Sequence, residues 1–278
     1  MSLVRVMARA QGAYARRMAR WFGRRPFSLQ VRRPIVSFTF DDFPQSALAA
    51  GGSLLAEQGL RGTYYVATAL AGRTIETGRM FEPADLVRAV AEGHELGCHT
   101  AEHFPAWATP PDDYLASVER NVHALGRLTP PVRPATHSYP ISYPRPASKR
   151  RLARRFRACR FGGQEANRGL VDLNALNSFF LEQSVHDFAA IERRIAGLAA
   201  VPGWLIFSTH DVAPQPTRYG CSPEFFARVV RCVREAGVAV LTVNAALDEL
   251  GVPPLGSVTA GDSLATAATD DGKPDSDS

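Results

Sequence analysis

Two adjacent carboxylates, Asp41 and Asp42, come directly after an apolar segment, residues 35–40, whose β-branched and aromatic side chains predict a buried strand. Side chains of a strand alternate between its two faces, so neighbouring aspartates can share a pocket only where the strand ends. Burying two carboxylates is costly unless positive charge or a shared proton compensates them. The pair therefore predicts a cation or a shared proton at this strand end.

Two histidines farther along the chain could hold such a cation. His99 and His103 are four residues apart in the segment GCHTAEH, residues 97–103, which follows another short strand-like run. A His-x-x-x-His pair alone is weak evidence for a metal site. Together with Asp42, however, the two imidazoles suit zinc or a neighbouring first-row divalent ion and leave a coordination position open for water. We predict zinc, with cobalt, nickel or manganese as alternatives.

A third apolar segment also ends in a titratable residue. Residues 204–211 read WLIFSTHD, so His210 follows a predicted strand. A single histidine in this position is usually a surface residue, but three strands that end in such residues are harder to attribute to chance. His210 is therefore a candidate for proton transfer.

These segments resemble the motifs of the polysaccharide deacetylases, also called the NodB-homology or carbohydrate esterase family 4. The resemblance extends from about residue 34 to residue 250 and rests on TFDD (39–42), HTAEH (99–103) and STHD (208–211). In that family the first aspartate is the general base, the second aspartate and both histidines bind the metal, and the late histidine is the general acid. The resemblance thus implies that Asp41 is the base, that His210 is the acid, and that Asp42, His99 and His103 are the metal ligands.

Two motifs of that family are altered in this chain. The family has an arginine that orients the base, whereas the corresponding residues 136–143 read THSYPISY. Arg160 or Arg168 could reach the base from another strand, and the sequence does not choose between them. The family's Asp-x-x-x-Trp motif, which tunes the acid histidine, is not recognisable; Asp172 and Asp187 are the candidates in the right interval.

The residue types themselves indicate the chemistry. A divalent ion lowers the pKa of a bound water to about 7 and polarises a carbonyl, so that Asp41 could accept the proton of that water. A departing amine must be protonated, which an imidazolium at His210 could do. We therefore predict a metal-dependent hydrolase that removes acetyl groups from N-acetylated, or O-acetylated, sugars of an oligo- or polysaccharide or its precursor. Tyr139, Trp107 and His137 are predicted to contact the substrate.

Other functions stay open at the level of sequence. The same fold could hydrolyse the C–N bond of small non-sugar amides. The chain could also be a catalytically silent carbohydrate-binding or scaffold protein, which would be favoured if no arginine replaces the missing one. An arginine-rich arm that binds nucleic acid would give salt-sensitive binding.

Charge is concentrated at the two ends of the chain. The first 33 residues contain nine arginines and no acidic residue, whereas the last 23 contain five aspartates and one lysine. The residues between them carry 22 basic and 22 acidic side chains, so the net charge of +5 does not predict a nucleic-acid partner. We divide the chain into a basic amphipathic arm (1–33), a polysaccharide deacetylase-like catalytic domain (34–255) and a disordered acidic tail (256–278).

The arm has an apolar stripe when it is drawn as a helix, with most arginines on the other side. The stripe consists of Leu3, Met7, Ala10, Tyr14, Met18 and Trp21. Such a helix could lie on an anionic membrane surface through residues 1–25, or it could dock on the catalytic domain. No signal-peptide core or membrane span is recognisable, which predicts a cytoplasmic protein that could be peripheral to the membrane.

Strand-like and helix-like segments alternate along the catalytic domain, which predicts an α/β fold with parallel strands and crossover helices. The predicted strands cover residues 35–40, 63–67, 95–99, 135–139, 158–161, 205–209 and 238–243. Helix starts are predicted near Pro83, Asp112, Asp187 and Ser222. The resemblance implies a distorted (β/α)7 barrel, whereas periodicity alone also fits an open doubly wound sheet.

The four cysteines, at positions 98, 159, 221 and 232, form no Cys-x-x-Cys pair and no disulfide-dense pattern. They predict free thiols in a reducing compartment. Strand alternation should point Cys98 away from the metal, although it is next to His99.

Overall fold

The computed structural model describes residues 3–141 and 143–256, with residues 3–10 described by their backbone alone. Nearly all of the predicted acidic tail therefore lies outside the described residues. The strands are β1 (Pro26–Ser28), β2 (Ile35–Phe40), β3 (Thr63–Val66), β4 (Thr74–Ile75), β5 (Gly78–Arg79), β6 (Glu95–Cys98), β7 (Thr136–Ser138), β8 (Ala158–Gly162), β9 (Leu170–Asp172), β10 (Leu176–Phe180), β11 (Trp204–Thr209) and β12 (Ala239–Val240).

The α-helices are α1 (Leu3–Trp21), α2 (Ser53–Ala56), α3 (Pro83–Ala91), α4 (Pro111–Gly126), α5 (Pro146–Leu152), α6 (Phe188–Ala200), α7 (Pro223–Glu235) and α8 (Val243–Glu249). A π-helix (Ala47–Gly52) precedes α2, and short 3-10 helices follow β3 (Thr68–Leu70) and β10 (Leu181–Ser184). Asp187 and Ser222 cap α6 and α7 through side-chain hydrogen bonds, as their sequence positions predict. Among the helices that the structure describes, none is long and apolar enough to cross a membrane.

Seven parallel strands close into a barrel. Their order around the ring is β2, β3, β6, β7, β8, β10 and β11, and the pairing of β11 with β2 closes it. That pairing is in register over six residue pairs, from Ile35 beside Trp204 to Phe40 beside Thr209. Both strands are buried along their whole length, as strands covered on both faces are. The predicted distorted (β/α)7 barrel is confirmed, and the open sheet is excluded.

One barrel strand, β10, is absent from the sequence prediction. Its sequence LNSFF contains Asn177 and Ser178, which interrupt the apolar pattern that marks the other strands. The strand predicted at residues 238–243 is wrong as a barrel strand. Only Ala239 and Val240 are extended, beside the first two residues of β2, and the chain enters α8 at Val243. The barrel therefore has seven strands, but one of them differs from the seven predicted.

Glu95 connects several elements at the end of the barrel where β2 begins. At that end β12 lies beside β2, whereas β3 pairs with the last residues of β2. Its carboxylate accepts hydrogen bonds from the hydroxyls of Thr63 on β3 and Thr136 on β7, both at 2.9 Å, and from the backbone N–H of Asn244 on α8 at 2.8 Å. Desolvation raises the pKa of Glu95, and these donors oppose the shift. The carboxylate thus closes the end of the barrel opposite to the strand ends that carry the predicted site.

Among residues 11–21 of α1, the two fully buried side chains lie beside the predicted apolar stripe rather than on it. Ala15 and Ala19 are buried, whereas Tyr14 and Trp21 of the predicted stripe are exposed. Lys149 of α5 donates a hydrogen bond to the carbonyl of Ala19. Small alanine side chains allow the helix backbone to approach α5 this closely, which the large residues of the stripe would prevent.

Candidate metal and catalytic site

Three side chains converge on one point where β2 and β6 end. The Oδ1 atom of Asp42 lies 2.9 Å from Nε2 of His103 and 3.4 Å from Nε2 of His99. One possible ligand atom from each residue lies within 4.8 Å of those of the other two. Asp42 and His99 are buried, and His103 is partly exposed. His103 is therefore the most accessible of the three side chains, although all three line the cavity described below.

The cluster fits a divalent cation. The Oδ1 atom of Asp42 is buried and accepts no hydrogen bond, although two imidazoles face it. Nδ1 of His99 donates to the carbonyl of Ser138 at 2.8 Å, and Nε2 of the same ring is directed toward Asp42. Burial alone would raise the pKa of Asp42, but the two imidazoles hold it well below its usual value. One carboxylate oxygen and two imidazole nitrogens are the donor set that zinc and its neighbours prefer.

A tight turn brings the two adjacent aspartates into one pocket. Asp42 and Phe43 have φ values of 62° and 64°, and the N–H of Phe43 donates to the carbonyl of Asp41 at 2.7 Å. Thr100 and His103 also adopt left-handed backbone, with φ values of 59° and 56°. Such conformations cost non-glycine residues on the order of 1–3 kcal/mol each. Four of the six described non-glycine residues with positive φ are thus ligands of the cluster or their chain neighbours; the other two are Ile141 and Gln164.

Asp41 is paired with a buried arginine. Arg160, on β8, donates to Oδ1 of Asp41, and Ser208 lies 3.4 Å from Oδ2. The guanidinium of Arg160 also stacks over the ring of Tyr65, 4.6 Å from its centroid, and contacts Ser178 of β10 at 3.3 Å. Burial would raise the pKa of Asp41, but the positive charge of Arg160, followed by those of His99 and His210, lowers it. Arg160 is therefore the arginine that reaches this carboxylate.

Arg168 does not reach Asp41. It donates instead to the carbonyls of Gly197 and Val201 at the end of α6. Asp172 accepts hydrogen bonds from Lys149 and from the backbone of Arg25, and Asp187 caps α6. The two aspartates that the sequence suggested as partners of His210 thus have other roles.

His210 follows β11, beside Asp41 by continuation of the β2–β11 register. Its Nδ1 contacts the carbonyl of Tyr219 at 3.1 Å. A carbonyl in this position accepts a proton-bearing Nδ1, so the ring orientation is fixed and Nε2 is left for another partner. Asp211, the next residue, is occupied by the backbone and hydroxyl of Thr217.

The predicted substrate residues lie in different places. Tyr139 lines the cavity, and its hydroxyl donates to the carbonyl of Asn174. His137 does not: it is fully buried on the other face of β7, with Nε2 at 2.9 Å from the hydroxyl of Tyr114. Trp107 packs edge-on against Tyr14 of α1, outside the residues that line the cavity.

The placement of His137 follows from strand register. Cys98, His137 and Cys159 are paired across β6, β7 and β8, so all three point to the same face, toward α4. Burial and nearby positive charge hold the pKa of His137 well below its usual value, so the ring is neutral. As predicted, Cys98 points away from the cluster; Asn121 donates to its sulfur. All four cysteines are free.

Glu182 is a cavity residue that the sequence reasoning missed. It lies in the 3-10 helix after β10, and one of its carboxyl oxygens, Oε2, is buried without a hydrogen-bond partner. Burial raises the pKa of Glu182 to about 8; the charge of Asp41 adds to this effect and that of Arg160 opposes it. Recognising β10 as a strand was the only signal that could have placed Glu182 at a strand end.

These groups open onto one cavity of about 800 Å³. It is lined by Asp41, Asp42, His99, His103, Arg160, Glu182 and His210, and by the aromatic rings of Tyr139, Tyr143, Phe161, Phe180 and Tyr219. All the charged groups come from the carboxyl ends of barrel strands or the loops after them, where parallel barrels carry their active sites. The arrangement places a candidate cation site, a carboxylate–arginine pair and an imidazole around a common space.

Comparison with known proteins agrees with this geometry. Residues 29–156 match the family model for polysaccharide deacetylase. No curated protein sequence matches the chain. The predicted resemblance to the polysaccharide deacetylases is therefore confirmed, and the matched segment contains Asp41, Asp42, His99 and His103.

Solved structures share the fold at low sequence identity. A family 4 acetyl xylan esterase from Clostridium thermocellum, in complex with cobalt, is 21% identical, with a TM-score of 0.55 over 79% of this chain and 93% of that one. The chitin deacetylase from Colletotrichum lindemuthianum is 18% identical, with a TM-score of 0.57 over 81% and 92%. A peptidoglycan deacetylase from Bacillus subtilis is 14% identical, with a TM-score of 0.52 over 78% and 91%. The barrel is thus the fold of the carbohydrate esterase family 4 enzymes.

We expect His103→Ala and His99→Ala to lose the bound metal, because each variant removes one of three donors. Metal content after dialysis against zinc, measured by inductively coupled plasma mass spectrometry, tests this expectation. His123→Ala, on the distant helix α4, serves as the matched control and should keep about one equivalent. A His103→Ala protein with normal metal content and full activity would refute the assignment.

The buried carboxyl of Glu182 should make stability depend on pH. Its pKa is about 8 in the folded protein and about 4.3 in an unfolded chain. The unfolded state therefore releases this proton first, and the wild type should lose stability relative to Glu182→Gln as the pH rises from about 4 through 8. Urea unfolding of both metal-free proteins at pH 5 and pH 9 measures the difference. An equal change of stability in the two proteins would contradict the buried state of Glu182.

Proposed function

We propose that this protein is a metal-dependent hydrolase that removes acetyl groups from N-acetylated sugars of an oligo- or polysaccharide or its precursor. The observation that carries the proposal is the convergence of the Asp42–His99–His103 cluster, the Asp41–Arg160 pair and His210 on one cavity. The match to the polysaccharide deacetylase family over residues 29–156 supports the same reaction class.

Asp42, His99 and His103 would hold the metal, with zinc as the first candidate. The cobalt complex of the structurally similar acetyl xylan esterase supports a first-row divalent ion. When bound, such an ion activates water and polarises the acetyl carbonyl. The hydrogen bonds from His99 to Ser138 and from Thr77 to Asp42 hold the ligands in orientation.

Asp41 acts as the general base in this proposal. Its carboxylate accepts the proton of the attacking water, and Arg160 keeps it ionised and oriented. Each general acid or base contributes roughly 100-fold to 10,000-fold in rate. Arg160 comes from β8 rather than from the altered motif at residues 136–143, so the role of the missing arginine has a spatial substitute. This substitute counts against the silent scaffold alternative.

His210 acts as the general acid. A backbone carbonyl, that of Tyr219, accepts from Nδ1. Nε2 can then carry the proton that the departing amine requires.

Sugar binding is assigned to the aromatic wall of the cavity. Tyr139, Tyr143 and Tyr219 line it, and each offers a ring face or a hydroxyl to a pyranose. The acetyl xylan esterase and the chitin deacetylase with the same fold act on an ester and an amide, respectively, by their names. We favour the amide because His210 supplies an acid, which an amine leaving group needs more than an alcohol does.

The direct test of the proposal is acetate release from chitohexaose by the zinc-loaded protein. Asp41→Asn should lower kcat by roughly 100-fold to 10,000-fold while about one equivalent of metal stays bound. Acetylated xylan and acetanilide report on ester and small-amide hydrolysis in the same assay. No release from any sugar substrate, with metal bound, would refute deacetylation and favour the small-amide or the silent alternative.

We expect Arg160→Gln to lower kcat by at least about 10-fold, because Asp41 loses its charged partner and its orientation. The pH at which kcat reaches half its maximum should rise, since removal of the positive charge raises the pKa of Asp41. Arg157→Gln is the matched control, because Arg157 is also a buried arginine but contacts Asn244 and Val252 at the other end of the barrel. An unchanged pH profile for Arg160→Gln would show that Arg160 does not control the pKa of Asp41.

A further inference from the structure

A second groove of about 710 Å³ adjoins the cavity that holds the candidate site. The two share a wall made of Tyr143, Phe161, Gly162, Phe180 and Gln183. The far side of the groove is formed by Arg16, Arg20 and Trp21 of α1 and by Arg24 just after it. The groove therefore lies directly beside the cavity, within reach of a chain-like ligand that passes over these five residues.

The docking of α1 fixes where its arginines point. Ala15 and Ala19 are buried against the barrel, so Arg16 and Arg20, each one position farther, lie at the edge of that contact and line the groove. Residues four apart on a helix lie one above the other about 6 Å apart along the axis. Arg16 also lies over the ring of Tyr143, 5.8 Å from its centroid, on the shared wall. The arginine row thus begins where the cavity ends.

The positive charge of this groove is not neutralised by neighbouring side chains. Among the described residues, none of the ion pairs includes Arg16, Arg20 or Arg24. Asp172, one of the two acidic residues of the groove, is already paired with Lys149 at 2.6 Å. Glu165 is then the one acidic residue of the described lining that has no ion pair. The same lining contains the three guanidinium groups of Arg16, Arg20 and Arg24. Arg33 and Arg88, by contrast, are arginines of the barrel surface that have carboxylate partners, Glu249 and Glu92.

The remaining lining suits a sugar chain. Trp21 is 64% exposed and Leu170 67% exposed, so the groove presents a large apolar ring without a protein partner that would cover it. Amide side chains, those of Asn177 and Gln183, add hydrogen-bonding groups. An exposed indole offers a stacking surface for a pyranose, and guanidinium groups bind carboxylate and phosphate in bidentate geometry.

We propose that this groove is a subsite for an anionic group, carboxylate or phosphate, on the same molecule whose acetylated sugar occupies the cavity. The proposal rests on the proposed function and narrows its substrate class to acidic acetylated glycans or sugar phosphates. A lipid surface is a poorer match for these arginines, because they line a concave groove that adjoins the cavity, and a bilayer surface is much flatter.

The test compares neutral and anionic substrates on the zinc-loaded full chain. Chitohexaose is the neutral substrate. A heparosan hexasaccharide, which alternates glucuronate and N-acetylglucosamine, carries carboxylates, and UDP-N-acetylglucosamine carries a diphosphate. The variants are Arg16→Gln/Arg20→Gln and the control Arg17→Gln, since Arg17 is exposed on the same helix but does not line the groove.

We expect Arg16→Gln/Arg20→Gln to raise KM at least about 10-fold for one or both anionic substrates, with kcat nearly unchanged. For chitohexaose the same variant should stay within about twofold of the wild type, and Arg17→Gln should do so for all three substrates. The wild-type KM for the anionic substrate should rise between 50 and 200 mM NaCl, because salt screens exposed charges. A larger effect on the heparosan hexasaccharide would identify a carboxylate subsite, and a larger effect on UDP-N-acetylglucosamine would identify a phosphate subsite.

Equal effects of Arg16→Gln/Arg20→Gln on neutral and anionic substrates, or no effect on either, would overturn the subsite. Loss of sedimentation with vesicles of 30% phosphatidylserine, without a change toward the anionic sugars, would overturn it as well and assign the arginines to a lipid surface. Calorimetric titration of Asp41→Asn with the same ligands measures binding without turnover. The subsite can therefore be supported or refuted even if the protein releases no acetate.

Discussion

The two adjacent carboxylates Asp41 and Asp42 are both buried and both held in the charged form, and the site is built around compensating them. The principal partner differs: Arg160 pairs with Asp41, whereas His103 and His99 lie against Asp42, and His99 also lowers the pKa of Asp41. Because the principal partners differ, the proposed mechanism can assign metal binding to Asp42 and proton transfer to Asp41.

This separation depends on the barrel. The left-handed turn at Asp42 redirects the second carboxylate toward His99 and His103, while Asp41 stays in line with β2 and points to Arg160 across the interior. Parallel pairing places Arg160 of β8 beside Ser138, the last residue of β7. The closed ring therefore brings an arginine of β8 to the carboxylate that follows β2.

The sequence predicts those parts of the site that depend on local pattern. Asp41, Asp42, His99, His103 and His210 all follow apolar runs, and strand ends of parallel barrels gather on one side. The sequence could not predict the features that depend on strand register and on side-chain packing. His137 has the same sequence appearance as the cavity residues, but it is one residue out of phase and therefore faces Tyr114. Glu182 follows β10, and the polar residues Asn177 and Ser178 interrupt the apolar pattern by which that strand could have been recognised. The docking face of α1 is set by small alanines, which a hydrophobic pattern does not emphasise.

Anomalous X-ray scattering at the zinc edge, from crystals grown with zinc, locates a divalent ion between Asp42, His99 and His103 if these residues form a metal site. We expect one strong peak about 2.0–2.2 Å from Oδ1 of Asp42 and from Nε2 of both histidines. A peak at other residues only, or no peak at this cluster under saturating zinc, would rule out the proposed metal site.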